Sequence, residues 1–563
     1  MSMESTDATI VSLFLRRAAA DAGGIALWVR RGDALAACRW AELADDVRRT
    51  AGALEKLGVT PHDRVILISP NRYEWIISDL AIQLAGAVHV PVHVSLSGAQ
   101  MAYQIADSGA RLVLLAGADQ AALLAAHLAR QSDAFRDVQF VSFDPCPAIG
   151  PAEVRRLADV ASEVDRATAA RIEERAVSQT RPADLATILY TSGTTGEPKG
   201  VMLSQQNLAS NALGTLEAFG QKADDLRLTW LPLSHIFART CDLYTWIASG
   251  SQLALADSPE AVIANCGELH PTLLNGVPYF FEKVQRWLVQ QGLDRQPGSL
   301  LGLFGGRLRA GCAGGAPLPE HVARFYESQG VLLAQGYGLT ESSPVISTET
   351  DSARKLGTVG RPIPGVEVRI SPEGEILTRG PHVMLGYWNK PSATAQAIRD
   401  GWLYTGDLGE LDSDGFLRIT GRKKELIVTS GGKNIAPTYI EALLTSDPLI
   451  EQAVVVGDGR SCLAALIVPN QPALQPELDR LGLGECDAAE GLADPRVRAI
   501  YAQCIEQRLS DVSHYEQVRR FALLDRPFSV DRGELTLTLK LRRGVIQSNH
   551  ADTIEALYQG PDA

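Results

Sequence analysis

Residues 189–201 read Leu189-Tyr190-Thr191-Ser192-Gly193-Thr194-Thr195-Gly196-Glu197-Pro198-Lys199-Gly200-Val201. The apolar, β-branched lead-in from Thr187 to Tyr190 has the composition of a buried strand end. It runs into a loop of hydroxyls and glycines that carries one lysine. Glycines expose backbone N–H groups and permit close approach of a ligand. Hydroxyls add donors, lysine adds a mobile positive charge, and the combination suits a polyphosphate. The loop is not a Walker A loop. Counted from Gly193, the position that needs a second glycine is Pro198, and the lysine is followed by Gly200, not Ser or Thr.

Outward from this loop, strands alternate with helices, a pattern that predicts parallel sheets covered on both faces. Two short strands are expected in residues 24–37, around Arg31-Gly32-Asp33. A helix carries Trp40, Leu43, Val47, Ala51 and Leu54 at helical spacing and stops at Gly58. A buried strand at Val65-Ile66-Leu67-Ile68 precedes a helix through Trp75, Ile76, Leu80 and Leu84. A further helix (residues 100–108) and strand (111–115) follow. Residues 118–180 read as Ala-rich and helical. Beyond the loop, residues 228–235 read as a strand ending in His235, and residues 272–278 as another, followed by a helix through Phe281, Val284 and Leu288. From Gly360 short strands and Gly/Pro turns predict a small β subdomain. After Arg422 the chain restarts as a compact α+β unit, with strands near 452–456 and 464–468, a helix after Pro437, and an irregular acidic insertion at 470–500.

The chain has 563 residues, too many for one core, with 45% hydrophobic and 21% charged residues, as in soluble globular proteins. A net charge of −13 argues against sequence-independent nucleic-acid binding. The eight cysteines form no C-x-x-C pair and read as free thiols of a reducing compartment. No signal peptide is read at the N-terminus, and no apolar run approaches the ~20 residues of a membrane helix. The expected location is cytoplasmic, with membrane contact at most peripheral.

Residues 190–200 resemble the phosphate loop of the adenylate-forming superfamily, which holds acyl-CoA synthetases, peptide-synthetase adenylation domains and luciferases. Further segments resemble the family in its own order over most of the chain. The resemblance implies that Thr191, Ser192, Gly193, Thr194, Thr195 and Lys199 hold the β- and γ-phosphates of ATP. In Gln335-Gly336-Tyr337-Gly338-Leu339-Thr340-Glu341 it implies Tyr337 against adenine, Thr340 on the α-phosphate and Glu341 on Mg²⁺, with Thr191 helping to place the ion. Gly314-Gly315-Ala316 would form the adenine-side wall. Asp407, in Tyr404-Thr405-Gly406-Asp407, would accept both ribose hydroxyls, which an acceptor-only carboxylate can do. Arg422 would reach ATP or ribose, and Lys424 falls at the family's hinge. Gly431-Gly432 would line a tunnel for the pantetheine arm of coenzyme A. Lys540, in Leu537-Thr538-Leu539-Lys540, matches the catalytic lysine, although Leu539 stands where many members have Gly. His235 matches a gate on the acyl side.

The implied fold is α/β: a large N-terminal domain of parallel α/β sheets (residues 1–421, with a β subdomain at about 360–421) and a small, mobile α+β C-terminal cap (422–563). The implied reaction is ATP-dependent activation of a carboxylic acid, followed by transfer to a thiol. By resemblance, residues 231–237, residues 429–437 and the acidic insertion favour a medium- to long-chain fatty acid, closest to the long-chain fatty-acid–CoA ligases. Arg239 stands near the Trp gate of some long-chain members, which leaves chain length open and makes Arg239 a candidate contact for a polar substrate. Two other readings stand beside coenzyme A transfer: a fatty acyl-AMP ligase that loads a carrier-protein phosphopantetheine, and a non-catalytic acyl or nucleotide sensor. The oligomeric state stays open.

Overall fold

The computed structural model describes residues 7–32, 34–128, 135, 137–149, 153–191, 197–431, 433–484, 488–536 and 541–559. Among them, two large sheets carry the N-terminal part. One runs in the order Gly386–Tyr387, Lys199–Ser204, Leu185–Thr191, Val88–Val92, Arg64–Ile68, Leu112–Leu115, Gln139–Ser142, Arg155–Arg156. The other runs Arg361–Pro362, Val345–Thr348, Leu332–Gly338, Ala310–Ala313, Leu273–Gly276, Leu226–Thr229, Gln252–Leu255, Ile25–Arg31, Ala34–Arg39. Both are mainly parallel with antiparallel edges. Their central strands, such as Arg64–Ile68 and Leu273–Gly276, are buried along nearly their whole length, as parallel strands under helices must be.

One core joins the two sheets. The helices Ile10–Ala20, Trp40–Lys56, Tyr73–Leu84 and Gln205–Phe219 contribute Phe14, Trp40, Trp75 and Leu208 to it, and Trp40 stacks on Trp246 with ring centroids 4.7 Å apart. The apolar positions spaced three and four apart in Trp40–Lys56 all face this core, as the sequence periodicity predicts. A five-stranded sheet built from Glu367–Ile370, Glu375–Arg379, Ile398–Arg399, Trp402–Leu411 and Leu417–Arg422 follows. Beyond it the strands Ile450–Val456, Leu463–Pro469 and Val518–Leu523 form a sheet of their own, with apolar clusters on both faces. This is the α/β architecture with a smaller α+β C-terminal part that the sequence implies.

Four expectations change. Residues 118–180 are not helical throughout, because Gln139–Ser142 buries Phe140 and Val141 as a strand beside Leu112–Leu115. The region 470–500 is not irregular. It holds helices Gln471–Arg480, Ala488–Ala493 and Pro495–Arg508, which bury Leu474, Leu478, Val497, Tyr501 and Ile505 at helical spacing. The strand before His235 ends early, at Thr229. Pro232 cannot donate to a ladder, and Trp230 turns its indole Nε1–H onto the Asn275 carbonyl at 2.7 Å.

Arg239 does not meet a substrate. It is fully buried between the two sheets, where Nη2 donates to Asp79 Oδ1 at 2.5 Å and Nη1 to Thr187 Oγ1 at 2.8 Å. His89 Nδ1 lies 2.6 Å from the same Asp79 oxygen, and Tyr244 donates its hydroxyl to Asp79 Oδ2 at 3.0 Å. Burial of a charge demands such pairing, and a π-helix, Arg239–Tyr244, brings both of its end residues onto Asp79. Burial, reinforced by the Arg239 charge, pushes the His89 imidazole down to about 4, against the opposing pull of Asp79. The unfolded chain therefore takes up a proton near the ordinary histidine value that the folded chain refuses until about 4. Stability falls with pH across that window, by about 2 kcal/mol at pH 5 relative to pH 7. Thermal unfolding at the two pH values checks this: His89→Gln should flatten the dependence in the pH 4–6.5 range.

Candidate active site

The two sheets deliver their chemistry at the carboxyl ends of parallel strands, the usual place for ligands in α/β folds. Leu185–Thr191 ends at Thr191, and Leu332–Gly338 ends at Tyr337 and Gly338. Both ends open into one cleft of about 2740 Å³. It is lined by Thr191, Lys199, His235, Thr340, Glu341, Asp407, Arg422 and Lys424, together with Gly314, Gly315, Ala316 and the run Gln335-Gly336-Tyr337-Gly338. Residues more than two hundred positions apart in sequence thus line one cleft.

The loop hairpin is pinned at its base. Thr191 pairs with Lys199 across antiparallel strands, and Tyr190 donates its hydroxyl to Asp107 Oδ2 at 2.6 Å. Ser192, Gly193, Thr194 and Thr195 lie outside the described residues, as do Gly432 and Lys540. The strand Gly386–Tyr387 closes over the hairpin, with Trp388 N–H donating to the Gly200 carbonyl at 2.7 Å. This places Tyr387 between two site residues: its hydroxyl donates to Glu341 Oε1 at 2.8 Å, and Lys199 Nζ stands 5.0 Å from its ring centroid. Sequence reasoning missed Tyr387; the only local signal is the aromatic pair Tyr387-Trp388 after Gly386.

A second cluster lies on the facing wall. Tyr337 donates its hydroxyl to Asp407 Oδ2 at 2.8 Å, and Arg422 donates Nε–H to Asp407 Oδ1 at 2.6 Å. Each carboxylate oxygen thus holds one protein donor and keeps a lone pair for another. Burial, then the neighbouring carboxylate, pushes the Tyr337 phenol well up, so it remains a donor at neutral pH. Asp407 also holds Arg422 above its ordinary value, although burial opposes this. Gly338 sits so tightly over Pro344 that a Cβ there would come within 1.8 Å of its carbonyl oxygen, and Gly314 faces the Phe237 ring at 2.8 Å on the same measure. At both positions a side chain would displace the wall. Thr340 and Glu341 occupy the single 3₁₀ turn Thr340–Ser342 just beyond.

His235 stands at the N-cap of the short helix Ile236–Ala238, where Nδ1 accepts from Phe237 N–H at 3.3 Å. Lys424 lies in the 3₁₀ turn Lys423–Glu425, which joins the five-stranded sheet to the C-terminal part. Gly431 is exposed just after the strand Ile427–Val428. Among the described residues no three His, Cys, Asp or Glu side chains gather as a metal site. Glu341 is nevertheless suited to Mg²⁺, which commonly binds through one or two carboxylates plus substrate phosphates. Its side chain accepts only Tyr387 among the described residues.

This fold and cleft define a nucleotide-binding architecture, and comparison with known proteins names the class. Residues 16–388 match the model of the AMP-binding enzyme family, and residues 424–562 match that of the AMP-binding enzyme C-terminal domain. The chain belongs to the AMP-binding enzyme family. It is 37% identical to the long-chain-fatty-acid–CoA ligase FadD15 of Mycobacterium tuberculosis, over 92% of each chain. It is 29% identical to the long-chain-fatty-acid–CoA ligase ACSBG1 of Homo sapiens, over 95% of this chain and 83% of that one. Among solved structures, ATP-bound MatB from Rhodopseudomonas palustris superposes with a TM-score of 0.75 at 25% identity, over 96% of this chain and 99% of that one. The anthranilate CoA ligase AuaEII with anthranoyl-AMP shares the fold with a TM-score of 0.79 at 19% identity, over 99% and 100%.

Proposed function

We propose that the chain is an AMP-forming acid–thiol ligase that activates a medium- to long-chain fatty acid with ATP and passes the acyl group to coenzyme A. The observation that carries this reading is the convergence of Thr191, Lys199, Thr340, Glu341, Asp407 and Arg422 on one cleft, in a chain that matches long-chain fatty-acid–CoA ligases over nearly its whole length. In the first step a carboxylate oxygen bonds to the α-phosphorus of ATP and pyrophosphate leaves. In the second, the thiol sulfur attacks the acyl carbonyl and AMP leaves with the bonding pair.

Within that scheme each residue has a task. Asp407 takes the ribose hydroxyls on its remaining lone pairs while Tyr337 and Arg422 hold the carboxylate in place. Gly314, Gly315, Ala316, Gln335 and Gly336 wall the base. Lys199 and the hydroxyls and glycines of residues 191–195 hold the β- and γ-phosphates. Glu341 and Thr191 would hold Mg²⁺, which supplies charge neutralisation on the departing pyrophosphate. Lys540 serves the adenylation step, and Gly431 and Gly432 border the thiol path. Residues 422–563 act as a mobile cap that turns about Lys424. His235 guards the acyl side. The protein works in the cytoplasm; no helix among the described residues is long and apolar enough to cross a membrane.

The test is pyrophosphate release with ATP, Mg²⁺ and a panel of acids, followed by product analysis with free coenzyme A or a phosphopantetheinylated carrier protein. The expected result is acid-dependent pyrophosphate release and an acyl-CoA product. Thioester only on the carrier would reassign the acceptor, and no pyrophosphate release with any acid would leave a sensor on the same fold.

A further inference from the structure

Residues 384–390 join the phosphate hairpin of one large sheet to the turn that follows a strand of the other. Toward the hairpin, Tyr387 pairs with Val201, and Trp388 donates its backbone N–H to the Gly200 carbonyl and its indole Nε1–H to the Asp107 carbonyl. Lys390 Nζ reaches Glu197 Oε2 at 3.5 Å. Toward the turn Thr340–Ser342, Met384 donates its N–H to the Glu341 carbonyl at 2.9 Å. The Tyr387 backbone is also tied to the helix Pro391–Ala397, where its N–H donates to Thr394 Oγ1 at 2.9 Å. Gly386, at φ +140°, lies so close to that helix that a Cβ would come within 2.6 Å of Thr394 Cγ2. Only glycine accepts both the backbone state and the contact.

The Tyr387 side chain is thereby held where it meets a cation and an anion at once. Lys199 Nζ stands over its ring, 5.0 Å from the centroid, and Glu341 Oε1 accepts its hydroxyl at 2.8 Å. The ring face attracts the ammonium, and the hydroxyl makes a charge-assisted bond to the carboxylate. Lys199 and Glu341 come from different sheets, carry opposite charges and line the same cleft. Opposite charges in one cleft attract each other. A direct ion pair between them would have to break before a triphosphate could take the lysine or a cation the glutamate. Tyr387 meets both without using either up. The ammonium keeps its N–H donors, and the carboxylate keeps Oε2 and a lone pair on Oε1.

We propose that Tyr387 is a positioning residue for adenylation: it keeps Lys199 and Glu341 apart, the lysine for the triphosphate and the glutamate for Mg²⁺, so that neither is spent on the other. The inference rests on the tasks that the ligase reading gives Lys199 and Glu341, and deepens that reading by adding the residue that sets the two charges. Tyr387 acts through its neighbours, so its removal changes how the metal and the triphosphate are met and not which groups meet them.

The experiment measures ATP binding by calorimetry with no acid present, once with saturating Mg²⁺ and once with EDTA. The wild type should bind ATP more tightly with Mg²⁺. Tyr387→Phe keeps the ring beside Lys199 and removes the hydroxyl. It should leave the Kd in EDTA within about 2-fold and cut the Mg²⁺-dependent gain by about 10-fold, the low end of what is lost when a metal-ligating group loses its hydrogen-bond partner. Tyr387→Leu removes the ring as well, and should in addition weaken ATP binding in EDTA by about 3- to 10-fold, the size of a lost cation–π contact. A Mg²⁺-dependent gain unchanged in both variants overturns the proposal. So does equal weakening in Mg²⁺ and EDTA for Tyr387→Phe, which is what damage to the fold alone would give, and so does a wild type whose ATP affinity Mg²⁺ does not change. If ATP binds as expected but no acid releases pyrophosphate, the ligase reading fails by itself, and the binding data still decide the place of Tyr387.

Discussion

Lys540→Ala is expected to lose acyl-adenylate formation by about 10²–10³-fold while leaving thioester formation from preformed acyl-AMP and coenzyme A largely intact. The reasoning starts from charge. In the first step negative charge gathers between the attacking carboxylate and the α-phosphate, and a fixed ammonium there stabilises the transition state more than the ground state. In the second step the phosphate is a leaving group already formed, and the acyl carbonyl must be reached by a thiol. Residues on both sides of 537–540 line the cleft, Thr536 before and Leu541 after, and so do Thr340 and Asp407. Arg543 anchors this segment at its downstream end through Glu441, with Nη1 to Oε1 at 2.5 Å, and reaches Glu425 beside Lys424 at 3.4 Å. A rotation about Lys424 would carry that anchored segment as one body, and a hinge of a few residues suffices for such a motion. Pyrophosphate release measures the first step, and acyl-CoA formation from synthetic acyl-AMP measures the second. Equal loss of both, in a variant that still binds ATP, would remove Lys540 from its place in adenylation alone.

Glu341→Gln should lower adenylation by a similar factor, about 10²–10³-fold. The amide preserves shape and can still accept from Tyr387, so the fold around the turn Thr340–Ser342 is retained. The negative charge is lost, and with it the hard anionic ligand that Mg²⁺ prefers. The discriminating readout is the Mg²⁺ concentration needed for half-maximal pyrophosphate release, which should rise steeply, whereas a variant damaged only in folding would lose rate without moving it. Tyr387→Phe, which keeps the ring beside Lys199 and frees the Glu341 oxygen, offers the companion measurement.

Much of this protein is legible along the chain because its signals are local. The strand–loop–lysine run at residues 187–201, the Tyr-Gly-Leu-Thr-Glu run at 337–341 and the aspartate at 407 each carry their chemistry within a few neighbours. The helical spacing of Trp40, Leu43, Val47 and Leu54 and the buried run of residues 65–68 fix their elements by periodicity alone. The helices of 470–500 carried the same kind of signal in Leu474 and Leu478, and in Val497, Tyr501 and Ile505, and were obscured by the surrounding acidic and proline residues.

What only the tertiary structure decided is where long-range partners meet. Arg239 lies beside the expected acyl segment, and nothing in its sequence neighbours marks it as buried. The fold sends Arg239 to Asp79, 160 positions away, and closes it inside the core. Tyr387 likewise becomes a site residue only because the strand Gly386–Tyr387 returns to pair with Lys199–Ser204. Local sequence sets which backbone states and which chemistry a residue offers. The burial of a charge, and so its role, depends on which distant group arrives to compensate it, and that is a property of the packed chain.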